Sequence, residues 1–470
     1  MSTAQRRPFR LLALAALLAG SALAVSSATE ATAGGRTAVA HHANGKKVSA
    51  KGLPSPKEFR INHGAGEPTL GITRNGYVVA TISSGCVVSC LGSDEMVQTV
   101  APHGRAVYIT KDHGKTWQDV SPGDPTTGVS THVISQDPYL YVDHAGDKDR
   151  IFDIDLNVGC NEISYSDNNG ALWVTNPIAC GEPVNDHQTV FSGNPVTSTV
   201  LPLYPKIVYY CFNKLAYTDC SKSLDGGISW IPTVNTKDGN NTPPNSGLNG
   251  HGVADSRGWI YLPYADDSNH ANLSVSKDEG ATWTTVQVAP DYPVRGGDPS
   301  VAIDKKNNLY YVWNDRDRRP LLTVSTNGGK TWSKPVNIAS PGVKATNLVT
   351  MTVGAPGKVA FAYYGTTMTP GKGAFWNGYL AEGIDVLGKN PTFYSATIND
   401  PKHALKVNDC GPGRCGRVLD FIDVEIAPDG HPWAAYVDAC LETCEKTKVE
   451  SIHDNQAVIG TFTGGPKLNR

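Results

Sequence analysis

The sequence predicts an all-β chain folded as a seven-bladed β-propeller of four-stranded blades, with a six-bladed ring and an irregular closure as the alternative. Three observations predict it. Of 470 residues, 40% are hydrophobic and only 18% charged, with 48 Gly, 31 Pro, 19 Tyr and 9 Trp, a composition that turns often and packs aromatics in short strands. A pattern of the form S/T-x-D/N-x-G-x-x-W recurs as TKDHGKTW ending at Trp117, SDNNGALW at Trp173, SLDGGISW at Trp230, SKDEGATW at Trp283 and STNGGKTW at Trp332. Recurrence at roughly fifty-residue intervals marks a ring or stack of supersecondary units. Finally, a polar residue followed by a short strand opens seven stretches: EPTLGIT from Glu67, DPYLYVD from Asp137, DHQTVFS from Asp186, NGHGVAD from Asn249, DPSVAID from Asp298, NLVTMTV from Asn347 and DFIDVEI from Asp420. A radial array of such units hides most sheet edges.

In chain order, residues 1–24 read as a secretory signal. Arg6, Arg7 and Arg10 precede an apolar run from Leu11 to Leu18, and Ala22-Leu23-Ala24 forms a small-residue cleavage site. The paired Arg6-Arg7 admits the twin-arginine route as well as the general secretory one. Residues 25–57, rich in Ala, Thr, Ser, Gly and Lys, read as a flexible linker, and residues 58–470 as the propeller. Each Trp motif follows one β-rich run and precedes another, so it should sit on a hairpin. There the Asp or Asn bonds turn N–H groups, Gly takes the positive φ and Trp packs beneath.

Ten cysteines fall in five close pairs: Cys86 with Cys90, Cys160 with Cys180, Cys211 with Cys220, Cys410 with Cys415, and Cys440 with Cys444. In an exported chain they read as five local disulfides, each pinning a loop. The net charge of −3, which becomes −6 once Arg6, Arg7 and Arg10 are removed, leaves no basic surplus for nucleic acid. No other apolar run is long enough to span a membrane. The chain therefore reads as a secreted, extracellular monomer.

The seven leading residues, Glu67, Asp137, Asp186, Asn249, Asp298, Asn347 and Asp420, with His187, His251 and Asp423 beside them, should ring one mouth of the axial channel if the inner strands start there. Carboxylates crowded around one mouth repel. Some pKa values should then rise, or a cation such as calcium should settle among the oxygens. Paired carboxylates there would also suit a hydrolase. The plainer expectation is that they cap turns and bond N–H groups of the inner strands. No organic cofactor is expected, since no Gly-rich strand-to-helix loop is present.

The five Trp motifs resemble the Asp-box, or BNR, repeat of the sialidase superfamily. That resemblance implies a propeller with the box at the hairpin between the third and fourth strands of a blade, where its Asp is structural. It also implies an extracellular glycan or glycoprotein as partner and an exo-α-sialidase activity on terminal sialic acid, with three Arg around the sugar carboxylate, an Asp acid/base and a Tyr nucleophile activated by a Glu. Phe59-Arg60-Ile61-Asn62 resembles the family's F/Y-R-I-P, with Asn62 in place of Pro, which makes Arg60 a carboxylate ligand. Arg295 and Arg417, each just ahead of a leading Asp, would complete the trio. Asp94 is the candidate acid, and Tyr264 or Tyr363 the candidate nucleophile, although no Tyr/Glu pair is visible. Two other readings stay open: a non-catalytic propeller that binds a glycan, protein or cation at the same mouth, and a hydrolase of another polysaccharide.

Overall fold

The computed structural model describes residues 25–27, 38–43, 45–49, 52–61, 66–83, 105–122, 136–156, 161–178, 185–196, 203–214, 217–233, 246–411, 415, 418, 420–441, 444–448 and 455–469. The expected signal segment 1–24 lies outside these residues, as do Asn62, Asp94 and Arg417.

Seven antiparallel sheets form seven blades, so the seven-bladed expectation holds over the six-bladed one. In blades 1 to 5 the strands follow one another from the inner strand outward. Blade 5 is typical: Ser300–Ile303, Leu309–Asn314, Pro320–Ser325 and Val336–Asn337. Its second strand, LYYVWN, is buried throughout, because both faces of a middle strand pack against neighbouring blades and must be apolar. Outer strands are short and solvated, as in Thr284–Gln287 of blade 4. Blade 6 is built of longer strands, Ala345–Val353, Lys358–Thr366 and Phe375–Ile384, followed by Thr392–Thr397.

Ring closure uses the N-terminal part of the chain. Blade 7 takes three strands from the C-terminal region, Asp423–Ile426, Pro432–Asp438 and Gln456–Thr463. Its outermost strand is Ser55–Ile61, paired from Ser55↔Thr463 to Ile61↔Ala457. The sheet thus joins both ends of the sequence, and opening the ring would require breaking a seven-residue ladder. The stretch expected as a linker contributes further: Val39–His42 adds a fifth strand to blade 6, and Val25–Ser27 one to blade 1. Its mixed composition carries no alternation, and only the exposed edges of finished blades supply its partners.

Each of the five Trp motifs lies where expected, between the third and fourth strands of blades 1 to 5. In blade 4, Asp278 accepts hydrogen bonds from Thr282 N at 2.8 Å, Thr282 Oγ1 at 2.6 Å and Ser276 Oγ at 2.9 Å. Gly280 N donates to Ser276 Oγ at 2.9 Å. The backbone N–H bond from the residue four positions on recurs at Asp112, Asn168, Asp225 and Asn327. The box glycine does more than turn. Gly114 has φ +88°, and a Cβ there would lie 2.7 Å from the Phe59 ring of blade 7; Gly170, at φ +80°, abuts Val120 of blade 1 in the same way. The box therefore docks each blade on its predecessor. Phe59 in turn stacks on Trp433, with ring centroids 5.7 Å apart.

Three of the five expected disulfides fall among the described residues, and all three form: Cys211–Cys220, Cys410–Cys415 and Cys440–Cys444. The first ties the second and third strands of blade 3 across a register pair. The other two expected bridges, from Cys86 to Cys90 and from Cys160 to Cys180, have all four of their cysteines outside the described residues. Cys86 and Cys90 follow the second strand of blade 1, whereas Cys160 precedes the third strand of blade 2 and Cys180 follows its fourth. No helix among the described residues is long and apolar enough to cross a membrane.

Candidate functional site at the channel mouth

The inner strands begin at one end of the ring, and their first residues share an unusual backbone. Glu67, Asp137 and His187 have φ of 46°, 48° and 48°, and Leu348 has 52°. Register shifts at 136/139, 186/189, 246/249 and 347/350 show a bulge at the start of four inner strands. A bulge places two residues opposite one and re-aims a side chain, which is why it recurs beside functional sites.

Much of the ring is spent on holding neighbouring strands together. Glu67 accepts from Asp137 N at 3.1 Å and from Asp420 N at 3.2 Å, linking blades 7, 1 and 2. Gln188 donates to Asp137 O at 2.6 Å, and Asn249 to His187 O at 3.2 Å. Asp423 accepts from Leu70 N and Val424 N, both at 2.8 Å. Glu67 and Asp423 thus cap backbone N–H groups, as the plainer reading expects, while Gln188 and Asn249 donate to backbone carbonyls. Asn347 is buried in the same band on blade 6.

One constellation crosses the axis. His187 of blade 3 lies with Nδ1 2.5 Å from Asp298 Oδ2 of blade 5 and Nε2 3.4 Å from Asp420 Oδ2 of blade 7. Burial disfavours the imidazolium, but Asp298, its hydrogen bond and that of Asp420, and the Asp186 charge outweigh burial and lift the pKa well above the usual histidine range. His251 is driven the other way, down to about 3, by burial and then by the His187 cation. Burial, with Glu67 and Asp186 adding to it, raises the Asp137 carboxyl well above its ordinary value. Burial also raises Asp298, opposed by His187. The mouth thus gathers carboxyls raised by burial around an imidazole whose pKa its acidic neighbours lift.

Below it, Tyr139 lies against His251 at 4.3 Å between ring centroids, and Phe421 meets His251 and His187 edge-on at 5.5 and 6.0 Å. Deeper in the channel, burial pushes Asp423 up to about 7 and, with Asp423 adding to it, Glu425 up to about 8. Tyr139 is raised well above 10 by burial and then by Asp423. A phenol so placed is held neutral, the opposite of an activated nucleophile.

A narrow cleft opens beside the constellation, lined by Gly250, His251, Gly296, Gly297, Asp298, Asp420 and Phe421 among others. Asp298 Oδ1 is buried without a hydrogen-bond partner. At the cleft's rim Arg295, adjoining Gly296, donates to Cys410 O at 3.1 Å and lies 3.8 Å from Asp409. Arg318, on the hairpin between the second and third strands of blade 5, grips the same Asp409 through both guanidinium nitrogens. Burial and the neighbouring Arg318 cation lower the Arg295 pKa, with Asp409 opposing.

Several residues singled out from sequence are placed elsewhere. Arg60 lies on the outermost strand of blade 7, with Nε 2.8 Å from Glu58, Nη1 2.6 Å from Asp438 and 3.2 Å from Gln456. It is a strut within its own sheet, because the FRI stretch is used for ring closure. Tyr264 bonds Thr285 of its own outer strand at 3.2 Å. Tyr363 receives Ser340 N at 3.0 Å and stacks on Tyr379 between blades 5 and 6. Neither candidate nucleophile is at the mouth. Residues that the sequence reading missed include Arg318, Asp409, Tyr139, Glu425 and Phe421. Phe421 and Glu425 lie within the DFIDVEI stretch and Tyr139 within DPYLYVD; nothing in the sequence sets Arg318 or Asp409 apart. Among the described residues no group of three or more His, Cys, Asp or Glu is arranged to hold a metal ion.

A family profile described as the BNR/Asp-box repeat matches residues 323–334, the box of blade 5. The chain is a seven-bladed β-propeller that carries Asp-box repeats. Of curated proteins, the propeller is similar to a vacuolar protein sorting/targeting protein 10 from Paracoccidioides lutzii, 26% identical over 125 residues. That match spans 27% of this chain and only 8% of the relative. Among solved structures it is similar to a protein of unknown function from Dyadobacter fermentans, at 14% identity, 86% and 97% coverage of the two chains and a TM-score of 0.45. A NanB sialidase from Streptococcus pneumoniae matches at 13% identity, with 86% and 69% coverage and a TM-score of 0.42. The Aleuria aurantia lectin matches at 9% identity, with 71% and 96% coverage and a TM-score of 0.44.

Proposed function

We propose that this propeller is an exported protein that binds an acidic glycan, of the sialoside type, at the mouth where its inner strands begin. The observation that carries the reading is the pair Arg295 and Arg318 at the rim of the cleft, converging on one carboxylate, that of Asp409. A planar guanidinium holding a carboxylate through two nitrogens is the geometry an acidic sugar requires. Asp409 stands in for that sugar acid. Within the cleft, the partnerless Asp298 oxygen supplies an acceptor for a ring hydroxyl, and Phe421 and His251 supply ring faces for an apolar sugar edge.

A second reading, hydrolysis of the bound glycan, draws on the protonation pattern. Burial raises the Asp137 carboxyl well above its ordinary range, and His187 lies between Asp298 and Asp420, which lift its pKa. Such unlike neighbours are the raw material of acid–base catalysis.

Titration calorimetry with 3′-sialyllactose and with lactose, on the parent, Arg318→Ala and Asp409→Asn, tests the binding reading. The sialylated sugar should bind and lactose should not. Asp409→Asn should bind more tightly, since the competing carboxylate is gone, and Arg318→Ala should lose binding. Equal binding of both sugars, unaffected by either substitution, overturns it. Release of a fluorescent aglycone from an α-sialoside, lost in Asp298→Asn, would add hydrolysis to binding.

A further inference from the structure

A second cleft, of about 550 Å³, lies at the opposite end of the blades, between the boxes of blades 4 and 5. One wall is the turn that carries Arg257 and Trp259, with Lys277 and Thr284; the other is the box backbone of Asn327, Gly328 and Gly329, ending at Lys330. The Arg257 guanidinium lies 3.7 Å from the Trp259 ring centroid, and the Lys277 ammonium 4.4 Å from it. Lys277 and Lys330 are both exposed.

Three basic side chains line this cleft, Lys277, Lys330 and Arg257, the last of them paired with buried Asp255, and the other acids around it are engaged elsewhere. Asp255 is buried, accepting from Arg257, Trp259 N and Tyr261 Oη. Asp278 is committed to its box. Asp304, on the next turn, takes Lys306 N, Asn308 and Tyr310. That turn adds exposed Lys305 and Lys306, and it is joined to the cleft by Ser256 and Asn307, which bond each other at 3.1 and 2.9 Å. A chain with a net charge of −3 thus concentrates five basic side chains on one narrow face.

The indole is what makes this more than a scatter of surface charge. Lying over the ring holds the Arg257 and Lys277 head groups at the cleft wall, so less side-chain freedom remains to be lost when an anion arrives. Peptide groups of the box and the Thr284 hydroxyl add hydrogen-bonding partners of the kind a sugar uses.

We propose that this cleft is a separate binding site for a sulfated saccharide, whose sulfate groups lie on Lys277, Lys330 and Arg257 while its sugar rings run between the two boxes. It is independent of the channel mouth, where the ligand's acid meets Arg295 and Arg318. Because the cations are solvent-exposed, binding falls steeply with added salt.

The test is calorimetry with a sulfated glycosaminoglycan hexasaccharide, its desulfated counterpart and a single-stranded DNA oligonucleotide of the same charge. The proteins are the parent, Lys277→Ala/Lys330→Ala, Trp259→Phe and Arg318→Ala. The sulfated sugar should bind the parent, the double variant should bind it at least about tenfold more weakly, and Arg318→Ala should bind as the parent does. Binding should quench the fluorescence of the parent more than that of Trp259→Phe. Lys277 and Lys330 are exposed, so an unchanged thermal midpoint confirms that the double variant is folded. The proposal fails if the double variant binds like the parent, if the desulfated sugar binds equally, or if DNA binds as tightly as the sulfated sugar.

Discussion

Replacing Arg60 by Ala separates two roles for the residue that most resembles a substrate ligand in sequence. In the structure its guanidinium bridges Glu58 and Asp438, whose side chains are only 2% and 5% exposed, while Arg60 itself is 22% exposed. Removing one partner of a buried pair leaves an uncompensated charge and costs about 3–5 kcal/mol. Water reaches this guanidinium in part, so the expected loss is about 2–4 kcal/mol. Its pH dependence has a definite sign. Burial raises the folded pKa of Asp438, and Arg60 opposes that rise. Without Arg60 the folded carboxyl rises further and binds a proton that the unfolded chain has released, so stability is lost as pH increases. Urea unfolding of parent and variant at pH 5 and pH 8 should therefore show a larger deficit at pH 8, with sialoside affinity of the folded variant unchanged. A variant as stable as the parent at both pH values, but unable to bind the sugar, would refute the assignment of Arg60 as a strut.

Three further outcomes follow from the geometry. Asp278→Ala removes three bonds of one box and should cost about 1–2 kcal/mol in thermal or urea unfolding, with ligand affinity at the mouth unaltered. Gly114→Ala must hold a side chain at φ +88° and place a methyl 2.7 Å from Phe59; strain and overpacking together predict a loss of about 2–4 kcal/mol, measurable as a lowered midpoint. Asp423 and Glu425, raised by burial to about 7 and about 8, bind protons in the folded state that the unfolded chain lacks above its ordinary carboxyl range. Their contribution is fully present below that range and is lost as pH rises through 7 and 8. Asp423→Asn with Glu425→Gln should flatten that decline in a pH series of melting temperatures.

The boxes and blades were legible in the sequence because their interactions are short-ranged. Each box closes within four residues, from Ser276 to Gly280 or from Asp278 to Thr282, so its chemistry repeats visibly along the chain. The leading residues of the inner strands were legible for the same reason, as was the pairing of Cys211 with Cys220 across nine positions. The capping roles of Glu67 and Asp423 matched the plainer of the two expectations for the ring.

What the chain order could not disclose is which blade faces which. The propeller reads as starting at residue 58, after a linker, yet Ser55–Ile61 completes the last blade, because the ladder it joins is the free edge of Gln456–Thr463 left when the ring closes. That single pairing takes Arg60 out of the mouth and into a sheet. Likewise His187 meets Asp298 and Asp420 across 111 and 233 positions, and Asp409 meets Arg318 across 91. Local sequence determined the strands, the turns and the number of units. Their closure into a circle brought distant side chains into contact, and a one-dimensional periodicity carries no record of contacts across the axis.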